Sequence, residues 1–251
     1  MVTIKSKSEI EKMREAGRLL DLVHREMAKH IEPGISTMEL NNIGEKTIRS
    51  FGCIPSFLNY EGYPASVCIS VNDRVIHGIP NKHEILREGD IVSLDCGLIY
   101  KGYHSDSART YGVGKISDEA QKLIDVTKQS FFEGIKLAKA GNHLYDISGA
   151  IEDYVVANGF TCVKDFVGHG IGTKMHEEPS IPNFHQRRRG MKLEPGMTLA
   201  IEPMVNVGDW HVCILDDDWT VVTEDGSLAA HYENTILITE GEPEILSLIK
   251  E

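Results

Sequence analysis

Cysteine is sparse in this chain of 251 residues: Cys53, Cys68, Cys96, Cys162 and Cys213 are scattered and form no C-x-x-C pair. A zinc knuckle and a disulfide framework are thereby excluded, and reduced thiols are expected. Positive charge is also in short supply, with 26 Lys and Arg against 38 Asp and Glu and a formal net charge of −12. Such a balance opposes attraction to phosphate backbones, so nucleic acid is not an expected ligand. The one basic run, Arg187 to Arg189, sits among Pro, Asn, His, Gln and Gly. It reads first as a solvated loop and second as a docking patch for an acidic partner. No stretch approaches the roughly 18 apolar residues of a membrane span, and the opening MVTIKSKSEIEK lacks the apolar core of a signal peptide. Neither a membrane nor export is expected, and the cytoplasm is the expected location.

No low-complexity tract interrupts the sequence, and 41% hydrophobic with 25% charged residues suits one globular domain over residues 1–251. What fills that length is a pattern stated twice. Ser8 to Ile31 reads as an amphipathic helix with a capping box from Ser8 to Glu11, ended by Pro33-Gly34. A second helix starts at Ser36, with Glu39 as its box partner, and stops at Gly52. Strand patterns follow at Val67 to Val71, Ile91 to Ile99 and Tyr103 to Val113, the last two joined by a tight turn at Lys101-Gly102. The second half replays the order, with helices at about Ser117 to Ala140 and Leu144 to Asn158. Strands follow near Thr198 to Val207, Trp219 to Thr223 and His231 to Thr239. Gly34 matches Gly141, Gly52 matches Gly159, Gly89 matches Gly196 and Asp95 matches Glu202, each pair 107 positions apart. The expected fold is therefore a duplicated α+β unit, with halves of about 8–113 and 117–239. Antiparallel sheet flanked by helices would meet about a pseudo-twofold axis, with an acidic residue from each half delivered to the shared centre.

Asp95 and Asp106 flank the first hairpin, and their odd separation puts both on one face if the loop has an even number of residues. Carboxylates so close repel unless a proton or cation compensates. The alternative is that one lies at a solvated strand end. Glu202 sits inside the apolar TLAIEPMV, and Glu233 precedes the apolar run of HYENTILI. Buried acids need partners, and metal is the economical one. His169, between glycines in VGHGIG, would complete four carboxylates with one nitrogen, its glycines allowing the backbone to approach a ligand. For His24, His30, His83, His104, His143, His185 and His211 the expectation is a satisfied or solvated side chain.

In order, SLDCG, HSDSART, GHGIG, AIEPM and HYENT resemble the metal-binding signature of the methionine aminopeptidases, over essentially the whole chain. The resemblance implies the pita-bread fold of the creatinase and aminopeptidase group and two divalent ions, drawn from Co, Mn, Fe or Zn. It further implies that Asp95 chelates one ion, Asp106 and Glu233 bridge both, and His169 with Glu202 hold the other. His77 in VIHGIP and His176 in MHEEPSIPNF match positions beside the metals. The implied role of His176 is at the scissile carbonyl, and that of His77 is near the nitrogen; loop packing is the alternative. The methionine pocket implied by the family falls to Tyr60, Tyr63, Cys68, Met175 and Trp219, walls that suit a flexible thioether. Met175 stands where many members have Phe, Phe57 where some have Cys, and His231 where several have Gln; these bear on pocket shape. No long insertion separates Glu202 from Glu233, so the short bacterial type I form is the better match.

The chemistry implied is hydrolysis in which two cations share a water, and the bridging hydroxide attacks the methionyl carbonyl. Glu202 would shuttle the proton to the leaving amine. The expected partners are N-terminal peptides of nascent chains with a small second residue; contact with the ribosome is left open, and a monomer is expected. The nearest rival is a prolidase or aminopeptidase P relative, which shares fold and ligands and usually carries a further N-terminal domain. The other is a non-catalytic binding protein on the same fold, which would typically have lost ligands.

Overall fold

The computed structural model describes residues 2–249. Four helices, α1 (Lys7–Ala28), α2 (Thr37–Ser50), α3 (Asp118–Ile135) and α4 (Leu144–Ala157), cover short antiparallel sheets. The first capping box lies two residues earlier than expected. Ser6 is the N-cap, and its backbone N–H donates to Glu9 Oε2 at 2.7 Å, because Ser8 is already helical. Glu11 is thereby freed to pair with Arg14. The second box forms as expected, the Ser36 N–H donating to Glu39 Oε2 at 2.9 Å and the Glu39 N–H to Ser36 Oγ at 3.2 Å. Helix α3 stops at Ile135, short of the expected Ala140.

The repeat is present bond for bond. Gly34 N–H donates to Leu86 O at 2.8 Å, and Gly141 N–H donates to Leu193 O at 2.9 Å. Isolated bridges join Ser36 to Ile85 and His143 to Lys192. Ile54–Pro55 pairs with Leu98 and Ile99, as Thr161–Cys162 pairs with Val205 and Asn206. All these partners are related by the same spacing as the glycines. Gly34 and Gly141 have φ of 103° and 89°, with open space where a Cβ would stand, so backbone conformation alone selects glycine there.

The halves differ at their central hairpins. In the first, Ile91–Tyr100 and Tyr103–Gly112 form an unbroken ladder around Lys101 and Gly102, whose φ values of 48° and 83° suit a two-residue hairpin turn. In the second, the expected strand from Thr198 to Val207 is divided into Thr198–Ile201 and Met204–Asn206, and the expected strand from His231 is divided into Ala229–His231 and Asn234–Leu237. Pro203 has no N–H to give the ladder, so pairing lapses there and resumes in the same register. The third expected strand is shorter, Val221–Thr223, and leaves Trp219 in the turn before it.

Each half has its own apolar core. Leu20, Met27, Leu40, Ile69, Leu94 and Leu98 pack under α1 and α2, while Leu123, Phe131, Ile147, Ile151, Leu199 and Ile236 pack under α3 and α4. Where the sheets meet, Ala108 and Glu233 exchange backbone hydrogen bonds at 3.3 and 3.0 Å. Two threonines clamp this seam from opposite sides. Thr235 Oγ1 accepts from the Asp106 N–H at 3.0 Å and donates to the Asp106 carbonyl at 2.9 Å. Thr110 Oγ1 does the same for His231, at 2.9 Å in both directions.

Candidate metal centre

The seam gathers the acidic residues. In the first hairpin Asp95 lies opposite Ala108 and Asp106 opposite Gly97, so the two aspartates project from one face as diagonal neighbours, as their spacing requires. Glu202 and Glu233 occupy the gaps in the second hairpin, where the ladder is interrupted and side chains of greater length reach the same point. His169 stands between Gly168 and Gly170. A Cβ on Gly168 would come within 2.4 Å of Ala200 O and one on Gly170 within 2.1 Å of Glu178 O, so the close approach of neighbouring strands already requires glycine at both places.

His169 Nε2 lies 3.8 Å from Asp106 Oδ2 and 3.7 Å from Glu202 Oε1. Ligand atoms of Asp106, His169 and Glu233 all fall within 4.8 Å of one another. His169 Nδ1 donates to Gly170 O at 2.9 Å in the neutral ring, which turns the Nε2 lone pair toward the acids. Burial, with His176 adding to it, lowers the His169 pKa to about 3, so the ring is neutral at physiological pH.

The acids move the other way. Burial raises Asp95 to about 7. Asp106, Glu202 and Glu233 are pushed well above the usual carboxylate range, first by burial and then by one another. Among the described residues none of the four pairs with Lys or Arg, while Asp95 Oδ1, Asp106 Oδ1 and Glu233 Oε1 are buried without any hydrogen bond. Orphaned anionic oxygens of this kind, converging with an imidazole lone pair, fit a divalent cation set and little else. The nearby guanidinium of Arg109 reaches amide oxygens and no carboxylate: it donates to Ala108 O, Asn234 Oδ1 and Ser247 O at 2.8, 2.6 and 3.1 Å and to the Glu233 carbonyl, and its charge offsets part of the rise at Glu233.

The acids open onto a cavity that all the expected substrate residues line: Tyr60, Tyr63, Cys68, His77, Met175, His176 and Trp219. Tyr63 and Trp219 meet edge to face at 5.1 Å, and Phe57, Ala65 and Met175 complete an apolar wall. Tyr60 Oη and His176 Nδ1 are 2.9 Å apart, and the His176 ring stands at 4.3 Å from that of His169. His77 packs against Phe166 and Trp219, and burial lowers its pKa to about 4.

Several neighbours are not legible from the sequence as site residues. Phe166, Ile76 and Glu61 line the cavity. His231, whose identity is expected to bear on pocket shape, stands closer to the acids than that expectation implies: it is buried with its Nε2 at 3.8 Å from Glu202 Oε2 and no hydrogen bond to either ring nitrogen. Its position two residues before Glu233 is the available signal. Lys5 forms a buried pair with Glu177 at 2.6 Å, fixing the segment beside His176 from the far end of the chain. Among the histidines expected to be satisfied or solvated, His24 is a core residue bonded to Ser107 O at 2.9 Å, and His104 is buried with Nδ1 at 3.0 Å from Ser56 Oγ.

Comparison with known proteins agrees with this geometry. Residues 11–240 match the family described as Metallopeptidase family M24. A methionine aminopeptidase from Clostridium perfringens is 56% identical over 250 residues, covering 100% of both chains. A solved methionine aminopeptidase from Thermotoga maritima superposes with a TM-score of 0.97 at 44% identity, over 99% of this chain and 100% of that one. A prolidase from Pyrococcus furiosus shares the fold alone, with a TM-score of 0.80 at 23% identity over 66% of its length. With whole-length identity on one side and only the pita-bread fold in common on the other, the chain belongs to metallopeptidase family M24, among its methionine aminopeptidases.

Proposed function

We propose that this protein removes the N-terminal methionine from nascent chains whose second residue is small, using two divalent ions held by Asp95, Asp106, His169, Glu202 and Glu233. The observation that carries the reading is the meeting of buried, unpartnered carboxylates with a pocket of aromatic and sulfur-bearing walls. When bound, such ions supply a water acidic enough to act as nucleophile and a Lewis acid for the carbonyl. Co, Mn, Fe and Zn all suit this donor set.

The remaining steps fall to side chains. The pocket of Tyr60, Tyr63, Cys68, Met175 and Trp219 takes the methionine side chain by apolar contact and excludes water from the scissile bond. With the Tyr60 O–H donating to His176 Nδ1, Nε2 carries the ring proton and donates it as a hydrogen bond to the developing oxyanion. Glu202, whose carboxyl is held above its usual pKa by burial, moves the proton to the leaving amine. His77 contacts the peptide on the leaving-group side. The neutral imidazoles of His77 and His176 suit hydrogen bonding to an uncharged amide.

The same reading makes the protein a cytoplasmic monomer, folded as one catalytic domain, with Arg187 to Arg189 available to the ribosome. Supporting it, no helix among the described residues is long and apolar enough to cross a membrane, and the five cysteines are free. The test is hydrolysis of Met-Ala against Ala-Pro dipeptides by protein stripped of metal and then reloaded with Co²⁺ or Mn²⁺. Met-Ala turnover that is abolished by stripping and restored by reloading is expected. Preferred cleavage of Ala-Pro would support the prolidase reading, and turnover of neither would support a binding module.

A further inference from the structure

The cavity that holds the acids is lined by no Lys or Arg among the described residues, yet it contains a fifth carboxylate that the mechanism does not use. Glu61 lies at the rim, exposed to solvent, and makes no hydrogen bond or ion pair among the described residues. Its backbone is unusual. Asn59, Glu61 and Gly62 all have left-handed φ, at 65°, 49° and 96°, within a four-residue knot. That knot is closed by Asn59 N–H to Tyr63 O at 2.8 Å and by Tyr63 N–H to Tyr60 O at 2.9 Å. For a non-glycine residue such a conformation is costly and persists only where the surroundings enforce it. Here the enforced conformation sets an acidic side chain beside Tyr60, whose hydroxyl bonds His176. Glu61 is near enough for its charge to act on both Tyr60 and His176.

The path of a bound peptide follows from strand geometry. In an extended chain alternate side chains share a face, and the third lies about 7 Å beyond the first on that face. With the first side chain in the pocket and the scissile carbonyl at His176, a third side chain on the same face would pass the exposed 59–62 turn, which borders the cavity beside Tyr60. The second points away from it. We infer that Glu61 is a specificity-determining residue that favours Lys or Arg, and disfavours Asp or Glu, at the third position of the peptide. The inference rests on the proposed exopeptidase reading and adds to it a charge preference at a distance from the cleaved bond.

The test uses metal-loaded full-length protein and three peptides that differ only at position three: Met-Ala-Lys, Met-Ala-Gln and Met-Ala-Glu, each followed by the same neutral, amidated tail. For the unaltered protein kcat/KM should rank Lys above Gln above Glu, with about a fivefold span between the extremes, the scale that one exposed carboxylate exerts on a nearby charge. Raising salt from about 0.1 M to about 1 M shortens the screening length from about 10 Å to about 3 Å and should compress that span. In Glu61→Gln the span should shrink below about twofold, and in Glu61→Lys the order should invert. An undiminished span in Glu61→Gln would overturn the inference and assign the preference to the net charge of the whole molecule. Equal rates for all three peptides with brisk turnover would overturn it while leaving the peptidase reading intact. No turnover of Met-Ala-Gln would remove both.

Discussion

The two central hairpins share a register and differ in how they use it. Gly97 pairs with Asp106 in the first, and its counterpart Met204 pairs with His231 in the second. Counting along the two ladders, Asp106 corresponds to His231, and Ala108 corresponds to Glu233. Only Asp95 and Glu202 are acidic at equivalent places. The duplication therefore delivers one backbone plan twice, while the substituents have been exchanged so that every acid converges on one side of the seam. The unbroken hairpin supplies the two short acids and the interrupted hairpin the two long ones. Symmetry builds the frame, and its violation at Ala108 and His231 gives the site a direction.

The comparison is tested most severely at Glu202, the acid in the interrupted strand. Glu202→Gln keeps the size of the side chain but removes the charge and the proton acceptor, so turnover with metal bound should fall by at least about a hundredfold. Folding should survive, because a neutral amide relieves repulsion among the buried acids. Near-normal kcat in the loaded variant would strip Glu202 of the proton-transfer role.

Acidity provides a second probe, in protein free of metal. A carboxyl whose folded pKa is raised stabilises the fold at low pH and loses that contribution as pH rises through the folded value. The buried histidines oppose this: His24, His169 and His231 are lowered to about 3 and His77 to about 4 from an ordinary 6.5, so they favour folding as pH rises toward 6.5. Well above that pH they are neutral folded or unfolded, and the acids set the trend, with the buried thiols of Cys68 and Cys96, also raised by burial, acting in the same direction. Asp95, raised to about 7, and Asp106, Glu202 and Glu233, pushed well above the usual carboxylate range by burial, should make the metal-free protein progressively less stable as pH rises beyond 6.5. Thermal melting across pH 6.5 to 8.5 checks this, and a melting point rising over that interval would contradict the assigned burial of the acids.

The two threonine clamps separate structure from site. Thr110→Val and Thr235→Val each remove a hydroxyl that serves two backbone groups, and each should destabilise by about 1–3 kcal/mol in denaturant titration. Metal affinity, measured calorimetrically, should fall further for Thr235→Val, since that clamp holds Asp106, while Thr110 holds His231. Equal affinities would argue that Asp106 is positioned by its own hairpin. The smallest expected difference lies between Gly34→Ala and Gly141→Ala. Both glycines are left-handed and both have open space around them, so each variant should lose about 1–2 kcal/mol, and the two losses should match closely.

Much of this is legible in the sequence because it is local or periodic. The capping box at Ser36 and Glu39, the turn at Lys101 and Gly102, and the fixed spacing of the glycines all depend on a few adjacent residues. All five proposed ligands and all the pocket residues converge on one cavity. Ser6 and Ser8 each have a glutamate three residues on, so the first helix start is ambiguous in sequence, and the earlier serine takes it. The interruptions at Pro203 and Tyr232 are missed because TLAIEPMV and HYENTILI read as continuous apolar strands, although Pro203, which cannot donate to a ladder, is the signal that marks the break. Arg109 and Lys5 are invisible as neighbours of the site because their contacts are made across the whole fold, while His231, which the sequence does single out, gives no sign there of its approach to Glu202.

The threonine clamps also fix when the site can come into being. Asp106 is held by a residue 129 positions downstream, and His231 by one 121 positions upstream. During synthesis the first hairpin emerges and can pair long before Thr235 exists, so its aspartates face solvent with their backbone unclamped. Closing such long loops is the slow part of forming a non-local fold. The arrangement of Asp106 and His231 at the seam therefore requires residues from both halves of the chain, and a chain that stops before Thr235 lacks the hydroxyl that holds Asp106.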